Sequence, residues 1–168
     1  DLRRLAKIPR NTPKLDAYKS DVFSYNFSVT WDKTITKTRR MEKMFRIVAA
    51  VRRDLSPETV LCVGPRNVQE LLVAWLYGFA WRNVHGIDLY STNPKIQVMD
   101  MENMTFADES FDVLIMSSTL SYASDTERCI REVARVLKPA GSFCFTAAYC
   151  PSASRFHGNS VSGAEIAE

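Results

Sequence analysis

Apolar residues along the chain follow two periods that alternate from about residue 34 onward. Between Thr34 and Leu55, Ile35, Met41, Met44, Phe45, Val48 and Val51 recur at steps compatible with one face of a helix. The segment SPET (56–59) ends that pattern, and VLCVG (60–64) is a short, wholly apolar run closed by glycine, as a buried strand would be. A helix is predicted from about Val68 to Phe79, then strands over NVHGIDL (83–89) and IQVMD (96–100). MENMTFADES (101–110) reads as a loop. FDVLIMSS (111–118) reads as a buried strand, and TERCIREVARVLK (126–138) as a helix with Cys129, Ile130, Val133, Val136 and Leu137 turned inward and Pro139 and Gly141 ending it. GSFCFTAA (141–148) supplies a fifth strand. Apolar strands interleaved with amphipathic helices imply an α/β fold, an open, mostly parallel sheet with helices on both faces.

Composition narrows this picture. A chain of 168 residues, 46% hydrophobic and with only 6 Gly and 7 Pro, is expected to fold around a core and is not low-complexity. Its longest apolar run, LLVAWLYGFAW, is too short to span a bilayer, and a cytoplasmic setting is the expectation. Cys62, Cys129, Cys144 and Cys150 form no CxxC pair and lie near no histidine at ligand spacing, so reduced thiols and no metal site are expected. The net charge of +3 is unevenly spread: residues 1–54 hold 14 Lys and Arg against 6 Asp and Glu, and the remainder is acidic. A basic helical leader (1–55), a core (56–150) and a C-terminal tail (151–168) follow from that division. The chain stops soon after the fifth strand, as a minimal fold or a piece of a longer polypeptide would.

In an open parallel sheet, ligands bind beyond the carboxyl ends of the strands where strand order reverses. The residues there are Gly64 to Asn67, Asp88, Asp100 with Met101 and Glu102, and Ser117 with Ser118. Asp88 closes an apolar strand, where it suits either a ribose diol or the capping of a loop. Asn67 to Glu70 has the form of a helix start in which Asn67 caps and Glu70 reciprocates.

The segment DMENMTFADESFDVLIMS, followed by REVARVLKPAG, resembles class I S-adenosylmethionine-dependent methyltransferases of the type 11 kind. The likeness extends over roughly Val60 to Ala148, in order and spacing as well as motif. It implies a Rossmann-like sheet of order 3-2-1-4-5, truncated after the fifth strand, with S-adenosylmethionine as cofactor. It further implies that Gly64, Pro65, Arg66 and Asn67 form the cofactor loop, that Asp88 meets the ribose, that Asp100 and Met101 meet adenine, that Leu89 and Glu102 beside them also border the cofactor, and that Ser117 faces the methionine portion. Two departures stand out. The family has an acid where this chain has Cys62, and glycines where it has Arg66 and Val68; and only YSTNPK separates the second and third strands, leaving no room for the usual helix.

With one glycine left, the loop is expected to hold a ligand carboxylate by charge, through Arg66 and the free N–H groups of the following helix. No catalytic residue can be assigned; Tyr122, four residues past the fourth strand, stands near where an acceptor would lie. The expected activity is methyl transfer to an O or N atom of a small or carbohydrate-like molecule. The alternative is a catalytically inactive scaffold or interaction domain. A base-flipping signature of the N-P-P-Y type is replaced by SSTLSY, which argues against a nucleic-acid substrate, and oligomeric state is not legible.

Overall fold

The computed structural model describes residues 39–146. The leader before Arg39, including Ile35, and everything after Thr146, including Cys150, the last two residues of the predicted fifth strand and the tail, lie outside the described residues. Within them the order is helix α1 (Arg39–Val51), strand β1 (Val60–Val63), helix α2 (Val68–Leu76), strands β2 (Val84–Asp88), β3 (Ile96–Val98) and β4 (Phe111–Ser117), helix α3 (Thr126–Val136) and strand β5 (Leu137–Thr146). The five strands form one sheet in the order β3-β2-β1-β4-β5, with every pairing parallel. This is the expected Rossmann-like order.

The core divides by the two-residue period of the strands. Val60, Cys62, Val113 and Ile115 face one side of the sheet, where Met41, Met44, Phe45 and Val48 of α1 and Leu71, Val73 and Ala74 of α2 cover them. Leu61, Val63, Leu114 and Met116 face the other, under Cys129, Val133 and Val136 of α3. β1 and β4 are therefore buried on both faces, which is why their sequences are apolar almost throughout. No helix among the described residues is long and apolar enough to cross a membrane.

Helix ends depart from the expected boundaries for identifiable reasons. α2 stops at Leu76 and not Phe79: Gly78 takes φ +115°, its N–H bonds to Trp75 O and the Phe79 N–H to Ala74 O, a Schellman closure. Phe79 is thereby buried edge-on against Phe45 of α1. α3 stops at Val136, two residues short of Lys138. Lys138 precedes Pro139, which disfavours helical backbone there, and Leu137 is already extended and paired with Phe111. Ala140, at φ +61°, lies in the irregularity that carries the register from Phe111/Leu137 to Val113/Ser142. Two residues expected inward are exposed. Ile130 lies about 100° around the helix from Cys129, off the stripe through Val133 and Val136. Val51 ends α1, and the neighbouring Arg52 makes the contact with the sheet instead, through Glu58 and the Ser142 hydroxyl.

Candidate cofactor pocket

The carboxyl ends of β1, β2 and β4, with the turn after β3, surround a cleft of ≈ 590 Å³, open solvent at its mouth included. Its floor is the turn at Gly64. The Gly64 N–H bonds to Ile87 O at 2.8 Å; the chain then turns with Gly64 at φ +72°, and a Cβ at this position would lie 2.6 Å from the Thr119 side chain. Thr119 in turn donates from its hydroxyl to Val63 O. Ser118, between β4 and Thr119, takes φ +57°, a conformation uncommon for a residue with a side chain. The β1 and β4 ends are thus locked together by backbone geometry and one threonine.

Asp88 ends β2 on the cleft wall, with Leu89 beside it; Met99, Asp100 and Met101 follow β3, and Tyr122 stands across the opening. The Asp88 carboxylate accepts a long bond, 3.4 Å, from the Tyr90 N–H. Desolvation pushes its carboxyl up to about 7; the backbone N–H groups of Tyr90 and Leu89 and the Arg40 charge oppose the rise, and Glu70 adds to it. The link between β2 and β3 holds no helix. It is a tight turn in which the Ser91 hydroxyl and the Asn93 side chain satisfy local backbone groups.

Gly64, Arg66, Asp88, Leu89, Asp100, Met101 and Glu102 line the cleft, whereas Pro65, Asn67 and Ser117 do not. Asn67 caps α2, accepting the Glu70 N–H at 3.2 Å. Ser117 is buried, its hydroxyl without a hydrogen bond, and Ser118 and Thr119 form the wall in its place. Glu102 reaches the cleft but spends its carboxylate on the Ser124 and Asp125 N–H groups and the Ser124 hydroxyl, fastening the loop after β4.

The loop itself is arranged around a residue that the sequence reading missed. Arg40, from α1, donates to both oxygens of Glu70 at 2.8 and 2.6 Å, to Ser117 O at 2.7 Å and to Gly64 O at 2.8 Å. Glu70 is all but fully buried, and its carboxylate also accepts the Arg66 N–H at 3.2 Å. Glu70 therefore does not reciprocate onto Asn67; its carboxylate is drawn one residue upstream and toward Arg40. Burial, then the Glu70 charge, pushes the Cys62 thiol well above its usual range, with Arg40 opposing, so no charge resides on β1. The negative charge at this corner is carried by α2. The signal available in sequence was Glu70 standing next to Leu71 on the inward side of an otherwise apolar helix. Among the described residues no group of His, Cys, Asp or Glu side chains is placed to hold a metal ion.

A parallel sheet of this order, with a glycine turn after β1 and an acid ending β2, is a Rossmann-like arrangement suited to a nucleoside ligand. The chain belongs to the methyltransferase domain family, whose model matches residues 61–145. It is 29% identical over 96 residues to the uncharacterized methyltransferase YcgJ of Bacillus subtilis (strain 168), a match covering 57% of this chain and 35% of that protein. The fold is similar to the crystal structure of YcgJ, with a TM-score of 0.52 at 21% identity over 64% of this chain and 51% of that one. It is also similar to the PH0226 protein of Pyrococcus horikoshii OT3, with a TM-score of 0.51 at 25% identity over 64% and 57% of the two chains. A candidate S-adenosylmethionine-dependent methyltransferase of Listeria monocytogenes gives 0.52 at 22% identity, over 66% and 55%. The chain thus spans about a third of the length of the curated relative and little more than half that of the solved structures.

Proposed function

We propose that the cleft binds the adenosyl part of S-adenosylmethionine and serves methyl transfer to an O or N atom of a small molecule. The observation that carries this reading is the Asp88 carboxylate, held at the end of β2 in a cleft to which Val63, Ile87, Leu89, Met99 and Met101 contribute apolar surface. A ribose diol would give that carboxylate two further donors, and the methionines and aliphatic side chains suit the faces of a purine. The residues present fit the group: the Gly64 turn, where a Cβ would collide with Thr119, keeps the backbone low beneath the ligand.

S-adenosylmethionine supplies a methyl group already activated by its sulfonium. The protein's task is then to hold that carbon in line with the acceptor and to exclude water, and a base is required only for a weakly acidic acceptor. Tyr122 stands on the cleft wall where it could position such an acceptor. A cytoplasmic setting accords with the free thiols of Cys62, Cys129 and Cys144.

Calorimetric titration with S-adenosylmethionine and S-adenosylhomocysteine tests the reading. Asp88→Ala removes charge-assisted hydrogen bonds of about 1.5–3 kcal/mol and should weaken binding at least about tenfold while the protein stays folded. Equal affinity in the two proteins would remove Asp88 from the site. The departure at Cys62 favours one rival, a methyltransferase-like scaffold that binds no cofactor. Wild-type protein that takes up neither compound at about millimolar concentration would favour it.

A further inference from the structure

We propose that Arg40 occupies the cation seat of this cleft, so that an adenosyl ligand whose 5′ substituent carries an ammonium group, S-adenosylmethionine included, binds by displacing the guanidinium. The inference rests on the reading of the cleft as an adenosyl-ligand site.

The seat is built from three acceptors. Gly64 O and Ser117 O stand at the carboxyl ends of neighbouring parallel strands, and both point their lone pairs at Arg40; the third acceptor is the buried Glu70 carboxylate. With Asp100 and Met101 after β3 and Asp88 at the end of β2, a nucleoside laid along the strand ends directs its 5′ substituent toward this corner, where β1 meets β4. An alkylammonium has three N–H donors, and the seat offers two carbonyls and one carboxylate. An amino-acid tail and the Arg40 guanidinium are therefore rivals for the same three acceptors.

Arg40 is poorly arranged to act as a clamp for a ligand carboxylate instead. Its four contacts use four of its five N–H donors, and its charge is already matched by Glu70. What remains is a single N–H. Displacement is feasible because the side chain keeps 20% of its surface exposed, against 3% for Glu70, so the guanidinium has a route to solvent that the carboxylate lacks. Exchange of one cation for another also leaves Glu70 paired throughout, which avoids the cost of a lone buried charge.

The test compares 5′-methylthioadenosine, which has no amino-acid tail, with S-adenosylhomocysteine, by calorimetry on wild type, Arg40→Met and Arg40→Met/Glu70→Gln. The wild-type protein should bind 5′-methylthioadenosine at least as tightly as S-adenosylhomocysteine. Arg40→Met should move the affinity ratio about tenfold toward S-adenosylhomocysteine while 5′-methylthioadenosine changes less than about twofold. In the double variant no charge is stranded, so it should fold even if Arg40→Met does not. Its ratio should move in the same direction but less far, because the carbonyls are freed without the countercharge. A selective loss of S-adenosylhomocysteine in either variant would make Arg40 a clamp for the ligand, and an unchanged ratio would make it purely structural; each overturns the proposal. Binding of neither ligand by any of the three proteins, all folded by circular dichroism, would overturn the adenosyl reading itself.

Discussion

Single residues decide whether the departures from the family's loop matter, and the acid missing from β1 shows how. Cys62 is apolar in effect, yet Glu70 brings a carboxylate to the same corner from the first turn of α2, and Arg40 neutralises it. The sequence displayed the loss plainly because Cys62 lies inside a recognisable motif. The replacement was hidden, since Arg40 and Glu70 are thirty residues apart and no local period links them. Arg66 stands differently. It lines the cleft, only its backbone N–H is engaged among the described contacts, and its guanidinium remains the uncommitted cation of the loop. Arg66→Ala should therefore weaken S-adenosylhomocysteine several-fold, on the order of the 1–2 kcal/mol of a partly exposed charge-assisted bond, and leave 5′-methylthioadenosine unaffected. A parallel loss of both ligands would show that Arg66 shapes the cleft and does not read the carboxylate.

At the scale of elements, what the chain wrote in periodic form was legible and what tertiary contacts decide was not. VLCV and FDVLIMS announce central strands because both faces are covered, and the step from Asp88 to Ile96 is too short for a crossover helix, as the turn at Ser91 and Asn93 bears out. The ends of α2 and α3 escaped because they depend on a glycine in the left-handed region and on a residue restrained by proline. The Schellman closure at Gly78 gives a direct check. An added Cβ would meet only Leu55 at 3.8 Å, so space is available, and the cost of Gly78→Ala is the backbone's at φ +115°. A loss of at least about 1–2 kcal/mol by urea unfolding is expected, with ligand affinity retained. Gly64→Ala adds a collision with Thr119 to the same backbone strain, and should both destabilise the fold and abolish binding. If the two variants behaved alike, the β1 turn would have no special part in the cleft.

For the molecule as a whole, the titrating groups pull stability in opposite directions with pH. Asp112, which burial alone would raise, is held below its ordinary range by Lys138 and Thr59, and Glu132 is held low chiefly by Arg135. Their contribution is present above the unfolded carboxyl range of about 4 and is lost as pH falls through their folded values. Asp88 works the other way. Raised by desolvation to about 7, it favours the folded state fully at low pH, and that share is lost as pH climbs from the unfolded value through the folded one. His85, lowered by burial against Phe106 and Phe111 and then by Lys95, gains stability over part of the same interval, so the raw profile mixes two terms. The comparison that isolates Asp88 is therefore the difference between Asp88→Asn and wild type in urea-unfolding free energy. It should grow in favour of the variant from about pH 4 to about pH 8, since only the wild type must ionise a desolvated carboxyl. Adenosyl ligand should reverse that trend. A ribose diol donates to the ionised carboxylate, so wild-type affinity should rise as pH passes through about 7 and the stabilisation by a fixed ligand concentration should be greater at pH 8 than at about pH 6. A difference that stays level with pH would mean that Asp88 is solvated in the free protein, and ligand affinity would then be level between about pH 6 and about pH 8.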